Sequence, residues 1–379
     1  MSYKHHFSRF LQSDPARLHA AAHSHHPWPD VTFDAQQEAW LDAARLHDDK
    51  WDLVFAQVIP EAQGHIARRL GLPDPAAVTF APNTHEIVGR IVSCLPAPAR
   101  ILTTDAEFHS FSRQLARWEE DGRVTAERIP SMPLDTFSDR FAQAAARGGH
   151  DLVFVSHVLF DSGFVVEDLD ALVAAVPDPE TFVVVDAYHG FMAVPTDFSA
   201  PADRAFYLAG GYKYAMAGEG VCFASCPPGY GARPVDTGWL AGFGDLVEAP
   251  ADRVGYPADG GRFLGATFDV SGLYRFNAVQ RWLDDLNVSV GDIHAHVAML
   301  QDLLLAGIGD ALPAPDAQRR GHFLSFRTAH AGAIYRRLHQ AGVVTDFRAD
   351  RLRIGLGLYH DADDIERLAA AVRTAVQAA

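Results

Sequence analysis

The chain has 379 residues, 48% of them hydrophobic and 21% charged, which suits globular domains with a sizeable core and excludes collagen, coiled coil and wholesale disorder. Lys and Arg number 32 against 48 Asp and Glu, a net charge of −16 with His neutral, and so acidic a surface repels phosphate backbones, which disfavours a nucleic-acid partner. Nineteen histidines make pH relevant to that field. The opening residues, MSYKHHFSRFLQSDPARLH, are polar and lack the apolar core of a signal peptide. Apolar spacing from Phe33 to about Lys50 predicts a loosely amphipathic helix, and a second is predicted over Leu53–Leu70, closed by Gly71 and Pro73. Short β-rich runs are then predicted at Ala77–Phe80, Arg100–Thr103, Val124–Ile129, Leu152–Ser156, Thr181–Val185, Ala205–Leu208 and Val221–Ser225. Helix-length segments fall between several of them, at Thr84–Leu95, Ser110–Asp121, Asp135–Arg147 and Glu167–Val176. Short apolar strands separated by helices indicate a largely parallel sheet covered on both faces.

Residues 227–262 are rich in Gly and Pro and read as a long irregular connection, of the kind that is usually functional in a compact domain. From Val270 the pattern is helical to about Ile308. Strands are expected near His322–Arg327, Val343–Phe347 and Leu352–Gly355, and a final amphipathic helix from Asp363 to about Val376. This change of rhythm predicts a second, smaller α+β domain. The longest apolar runs have strand length, so no membrane span is expected. The three cysteines, Cys94, Cys222 and Cys226, are too few and too irregularly spaced for a disulfide framework or a zinc ribbon. They fit a reducing compartment, so a cytoplasmic protein is expected.

The most informative stretch is Thr181–Ser225. The strand Phe182–Val185 ends in Asp186, and the strand Ala205–Leu208 runs into Ala209-Gly210-Gly211-Tyr212-Lys213-Tyr214. Parallel α/β sheets place ligands at the carboxyl edge of their strands, so two different strands deliver an acid and a lysine to one edge. Glycines and aromatics around Lys213 lower its solvation, and a desolvated amine can form a Schiff base with an aldehyde. A Schiff-base lysine and an acid facing a pyridine nitrogen are the two protein groups that pyridoxal phosphate requires.

Asp186, His189, Tyr212-Lys213-Tyr214, Gly218 and Gly220 together resemble the class V aminotransferase family of pyridoxal-phosphate enzymes, and kynureninase within it. The resemblance runs from about Ala21 to the C-terminus. It implies the fold type I architecture: an α/β large domain with a mainly parallel sheet covered by helices, and a smaller α+β domain. The implied division is 33–250 for the large cofactor domain, and 1–32 with 260–379 for the small one.

The resemblance implies catalytic roles for Lys213, Asp186 and His189. It implies that Asn83 and Thr84, which follow a strand and open a helix, form the phosphate turn, with Tyr212 reaching the same phosphate; a plain helix cap by Asn83 or Thr84 is the alternative. Phe108 is expected to stack on the cofactor ring, with His109 as the alternative. In Arg262-Phe263-Leu264-Gly265-Ala266-Thr267, Thr267 would reach the phosphate from a second subunit, which implies a homodimer with a shared site. Arg353, six residues before Tyr359, would grip a substrate carboxylate. Trp239 would line the site from a neighbouring subunit, and His25 would face substrate from the Ala22–Trp28 segment. His23, His25 and His26 have no matching carboxylate or second cluster, so no metal is expected. All three cysteines fall in the expected large domain, which disfavours desulfuration through a mobile small-domain thiolate. The expected partner is a small-molecule amino acid substrate. The expected function is class V transamination, with kynureninase-like cleavage of a Cβ–Cγ bond and a catalytically idle cofactor-binding protein as the alternatives.

Overall fold

A computed structural model of the chain describes residues 2–245 and 253–378. The expected large-domain limit at residue 250, like the terminal residues 1 and 379, lies outside them. Seven strands form the central sheet: β1 (Val78–Ala81), β2 (Ala99–Thr104), β3 (Val124–Ile129), β4 (Leu152–Ser156), β5 (Phe182–Asp186), β6 (Phe206–Gly210) and β7 (Cys222–Ser225). Their order is β1-β7-β6-β5-β4-β2-β3. All neighbours are parallel except β7, which runs antiparallel to both β1 and β6. The short 211–221 connection cannot carry the long crossover that a parallel β7 would need. Every residue of β4 and β6 is buried, as helices on both faces require.

Helices α1 (Val31–Leu46), α2 (Ile59–Leu70), α3 (Thr84–Val92), α4 (His109–Glu120), α5 (Phe137–Ala146) and α6 (Leu169–Ala174) belong to this layer architecture. So does α7 (Ser271–Asp285). Its Leu273, Phe276, Val279 and Leu283 share one apolar core with Val54 and Ile66. The small domain expected to begin at 260 therefore starts later. The reason is packing: eleven of the fifteen residues of α7 are buried.

The second apolar core joins α8 (Val290–Ile308), α9 (Ala331–Gln340) and α10 (Ala362–Gln377) to the strands β8 (Phe323–Arg327) and β10 (Arg351–Gly355), and β9 (Asp346–Arg348) pairs along β10. These strands form an antiparallel sheet in the order β9-β10-β8. The run expected as one strand over Val343–Phe347 is divided. Val343–Val344 pairs in parallel with Leu18–His19 near the N-terminus, and Asp346–Arg348 turns back along β10. Residues 18–28 thus run as a strap from the small domain to the lysine loop, held by Ala21 bridging Gly355. A Cβ at Gly355 would meet His23 Nδ1 and one at Gly357 would meet His26 Nε2, so the strap lies directly on that backbone. Among the described residues, no helix is long and apolar enough to cross a membrane.

Candidate active site

The carboxyl ends of β4, β5 and β6 place Ser156, Asp186 and Lys213 around one cleft of about 320 Å³. The same cleft is lined by Asn83 and Thr84 at the start of α3, Phe108 at the start of α4, Tyr188 and His189 after β5, and Tyr212 beside the lysine. His23 closes it from the strap, and Arg348 and Arg353 close it from the small domain. A cleft of this size between two domains, with a few convergent polar groups, is the usual form of a small-molecule site.

Lys213 is half-buried at the cleft, and its Nζ donates to the carbonyl oxygen of His23 at 2.6 Å. It lies 5.8 Å from the centre of the Tyr188 ring. Burial, helped by the charge of Arg353, lowers its pKa to about 7. Burial raises Asp186 to about 6, against the pull of the Tyr188 N–H, which it accepts at 3.0 Å, and of the Lys213 charge. His189 is pushed well below the ordinary imidazole value by burial and by the positive charge of Lys213, so its ring is neutral. Its Nε2 is buried and has no hydrogen-bond partner in the protein.

The residues present fit pyridoxal phosphate. An amine and a carboxylate face one cleft, the orphaned His189 Nε2 calls for a hydrogen-bonding ligand there, and an aromatic side chain, Phe108, is 39% exposed at its wall. The first turn of α3 offers unpaired N–H groups to an anion. Asn83 is engaged as the cap of that helix, accepting the Glu86 N–H at 2.9 Å. The capping alternative is therefore real for Asn83, while its side chain still borders the cleft.

Arg353 is only 1% exposed. It donates to the Phe160 carbonyl at 2.5 Å and to the Asp346 carboxylate, whereas its Nε has no partner. The β9–β10 register sets Asp346 opposite Arg353. Arg348 reaches the other Asp346 oxygen at 2.6 Å, and His23 lies 3.5 Å from the carboxylate. Burial pushes Asp346 up, but His23 and Arg353 outweigh it and hold the acid well below the usual range. Two of the three donor nitrogens of the Arg353 fork are thus already occupied, and Arg348 lines the same wall of the cleft.

Four expected residues, His25, Trp239, Thr267 and His109, stand outside the cleft of this chain. His25 stacks on Tyr212 with ring centres 5.1 Å apart. Trp239 donates its indole N–H to Thr267 Oγ1 at 2.9 Å, away from Lys213. The alternative stacking residue His109 packs edge-on against Phe160, beside Phe108. Cys94 is half-buried, Cys222 and Cys226 are buried, and none lines the cleft. Among the described residues, no cluster of three or more His, Cys, Asp or Glu is arranged to hold a metal ion. Sequence reasoning missed Glu107, Asp346 and Arg348. The β9 pair carried one available signal: alternate residues 346 and 348 on a short strand point to one face.

Residues 299–372 match the model of the kynureninase C-terminal domain. A probable cysteine desulfurase of Vibrio cholerae serotype O1 is 24% identical over 343 residues, covering 83% of this chain and 82% of that protein. Among solved structures, the cystine C–S lyase C-DES in complex with its product cysteine persulfide superposes with a TM-score of 0.79 at 18% identity, over 94% of this chain and 97% of that one. A C-DES variant with glycine covalently linked to its PLP cofactor gives 0.81 at 18%, over 98% and 99%. The apo cysteine desulfurase of Thermococcus onnurineus NA1 gives 0.80 at 17%, over 98% of each chain. The overall fold is common to all three.

Proposed function

We propose, for a chain that belongs to the class V, fold type I family of pyridoxal-phosphate-dependent enzymes, that it holds the cofactor at Lys213 and cleaves a side-chain bond of an amino acid. The carrying observation is that Lys213 and Asp186, both half-buried, line a single cleft walled by Arg348 and Arg353. When bound, the cofactor supplies an aldehyde that condenses with amines and a ring that withdraws electrons from the carbon next to the substrate nitrogen. Asp186 holds a proton on the ring nitrogen. Phe108 would cover one ring face, and neutral His189 would offer its Nε2 to a cofactor oxygen. Thr84, the first N–H groups of α3 and the Tyr212 hydroxyl hold the phosphate. A pKa near 7 leaves Lys213 partly uncharged at neutral pH, so its Nζ can take the proton from the substrate Cα. Arg348, with the free Nε of Arg353, orients the substrate carboxylate.

Side-chain cleavage is favoured over transamination because the matched family model and the relatives are named for enzymes that break such bonds. No cysteine lines the cleft among the described residues. The fragment cut from the side chain therefore leaves in solution rather than on a protein thiol. Thr267 and Trp239 are assigned to the partner's cleft in a homodimer. The test is a panel of amino acids, including cystine and kynurenine, assayed with and without keto acids. Product release without any keto acid supports cleavage. Turnover that occurs only with a keto acid, returning its amino acid, overturns cleavage in favour of transamination.

A further inference from the structure

The site holds a second buried acid that the proposed mechanism does not use. Glu107 lies in the loop between β2 and α4 and is 5% exposed. Its Oε1 accepts the Ser156 backbone N–H at 3.0 Å, and its Oε2 lies 2.5 Å from Ser156 Oγ. Ser156 lines the cleft and pairs across the β4–β5 ladder with Asp186. Among the described residues, no Lys, Arg or His forms an ion pair with Glu107. The charged group that bears on it is Asp186 on β5, with Lys213 beyond.

Two carboxyls sharing a dry region cannot both ionise cheaply, so the better-supported one keeps the charge. Asp186 has the Tyr188 N–H and the nearby lysine cation. Glu107 has Ser156 alone. We propose that Glu107 is a positioning residue: as the neutral acid beneath Ser156, it leaves the negative charge of the buried pair on Asp186, the carboxylate that faces the cleft. A neutral Glu107 donates its O–H to Ser156 Oγ and releases the serine hydrogen toward the cleft. In keeping with this, burial and the Asp186 charge raise Glu107 to about 8.

The consequence for Asp186 rests on the proposed cofactor reading, but the protonation of Glu107 can be tested without cofactor. A raised acid binds its proton more tightly in the folded state. Its contribution to stability is full below the unfolded pKa and is lost as pH rises toward 8. Denaturant unfolding of cofactor-free wild type and Glu107→Gln, from pH 5 to 9, is expected to show wild type losing stability relative to the variant as pH rises. Parallel curves overturn the proposal. Should the variant not fold, the infrared carbonyl band of a neutral carboxylic acid in wild type, lost with a midpoint above pH 7, gives the same answer, and its absence at pH 7 overturns the proposal. Loaded with pyridoxal phosphate, Glu107→Gln is expected to keep the wild-type absorbance at pH 7. Loss of that band in the variant alone contradicts a neutral Glu107, whereas its absence in wild type bears on the cofactor reading instead.

Discussion

Asp186 and Lys213 were legible in the sequence because each ends an apolar strand, and strand ends in a parallel sheet converge on one edge. Glu107, Asp346 and Arg348 were not, because their meaning depends on which strands become neighbours. Asp346 acquires its role only when β9 folds back on β10 and faces Arg353. That pairing also changes how Arg353 is understood. It is a buried cation whose charge is matched by Asp346 before any substrate arrives. Removing one partner of such a pair leaves an uncompensated buried charge, which typically costs about 3–5 kcal/mol. Arg353→Ala is therefore expected to lower unfolding free energy by about that amount in a denaturant titration. Arg348→Ala, at an exposed partner of the same acid, is expected to cost less than about 1 kcal/mol while weakening substrate binding.

The central strands and most helices lie within a few residues of their sequence positions, because apolar runs and caps are local signals. The reversal of β7, the division of 343–348 and the transfer of α7 to the large core were not legible, since each is decided by a distant partner. The lysine loop shows the same dependence on a remote element. Gly218 has φ +73°, and a Cβ placed there would run into the Trp28 ring of the strap. A side chain is disfavoured both by the left-handed backbone and by that ring. Gly218→Ala is expected to destabilise the protein by more than about 1 kcal/mol and to reduce cofactor uptake, measured by thermal unfolding and by absorbance after dialysis against pyridoxal phosphate.

At the scale of the molecule, the histidine excess acquires a physical meaning that composition could not supply. His19 and His26 are lowered to about 3 and His157 and His360 to about 4, each first of all by burial. They remain neutral near pH 7 and contribute little to the surface field there. Their folded values lie below the unfolded one, so the unfolded chain takes up protons first as pH falls. Stability is expected to drop steeply between about pH 6.5 and 4, measured by unfolding across that window. The proposed homodimer predicts a solution mass of twice 41.3 kDa. It also predicts that mixing inactive Lys213→Ala and Thr267→Ala proteins restores part of the activity, because one hybrid site then holds both native residues. A monomeric mass, or no recovery on mixing, contradicts the shared site.

The central claim is that Lys213 holds the cofactor, and the most direct measurement is the absorbance spectrum of the purified protein supplied with pyridoxal phosphate. A band near the visible edge is expected, abolished by borohydride, which fixes the cofactor to the chain, and missing in Lys213→Ala. No band in the wild type, or a borohydride-sensitive band that persists unchanged in Lys213→Ala, would contradict it.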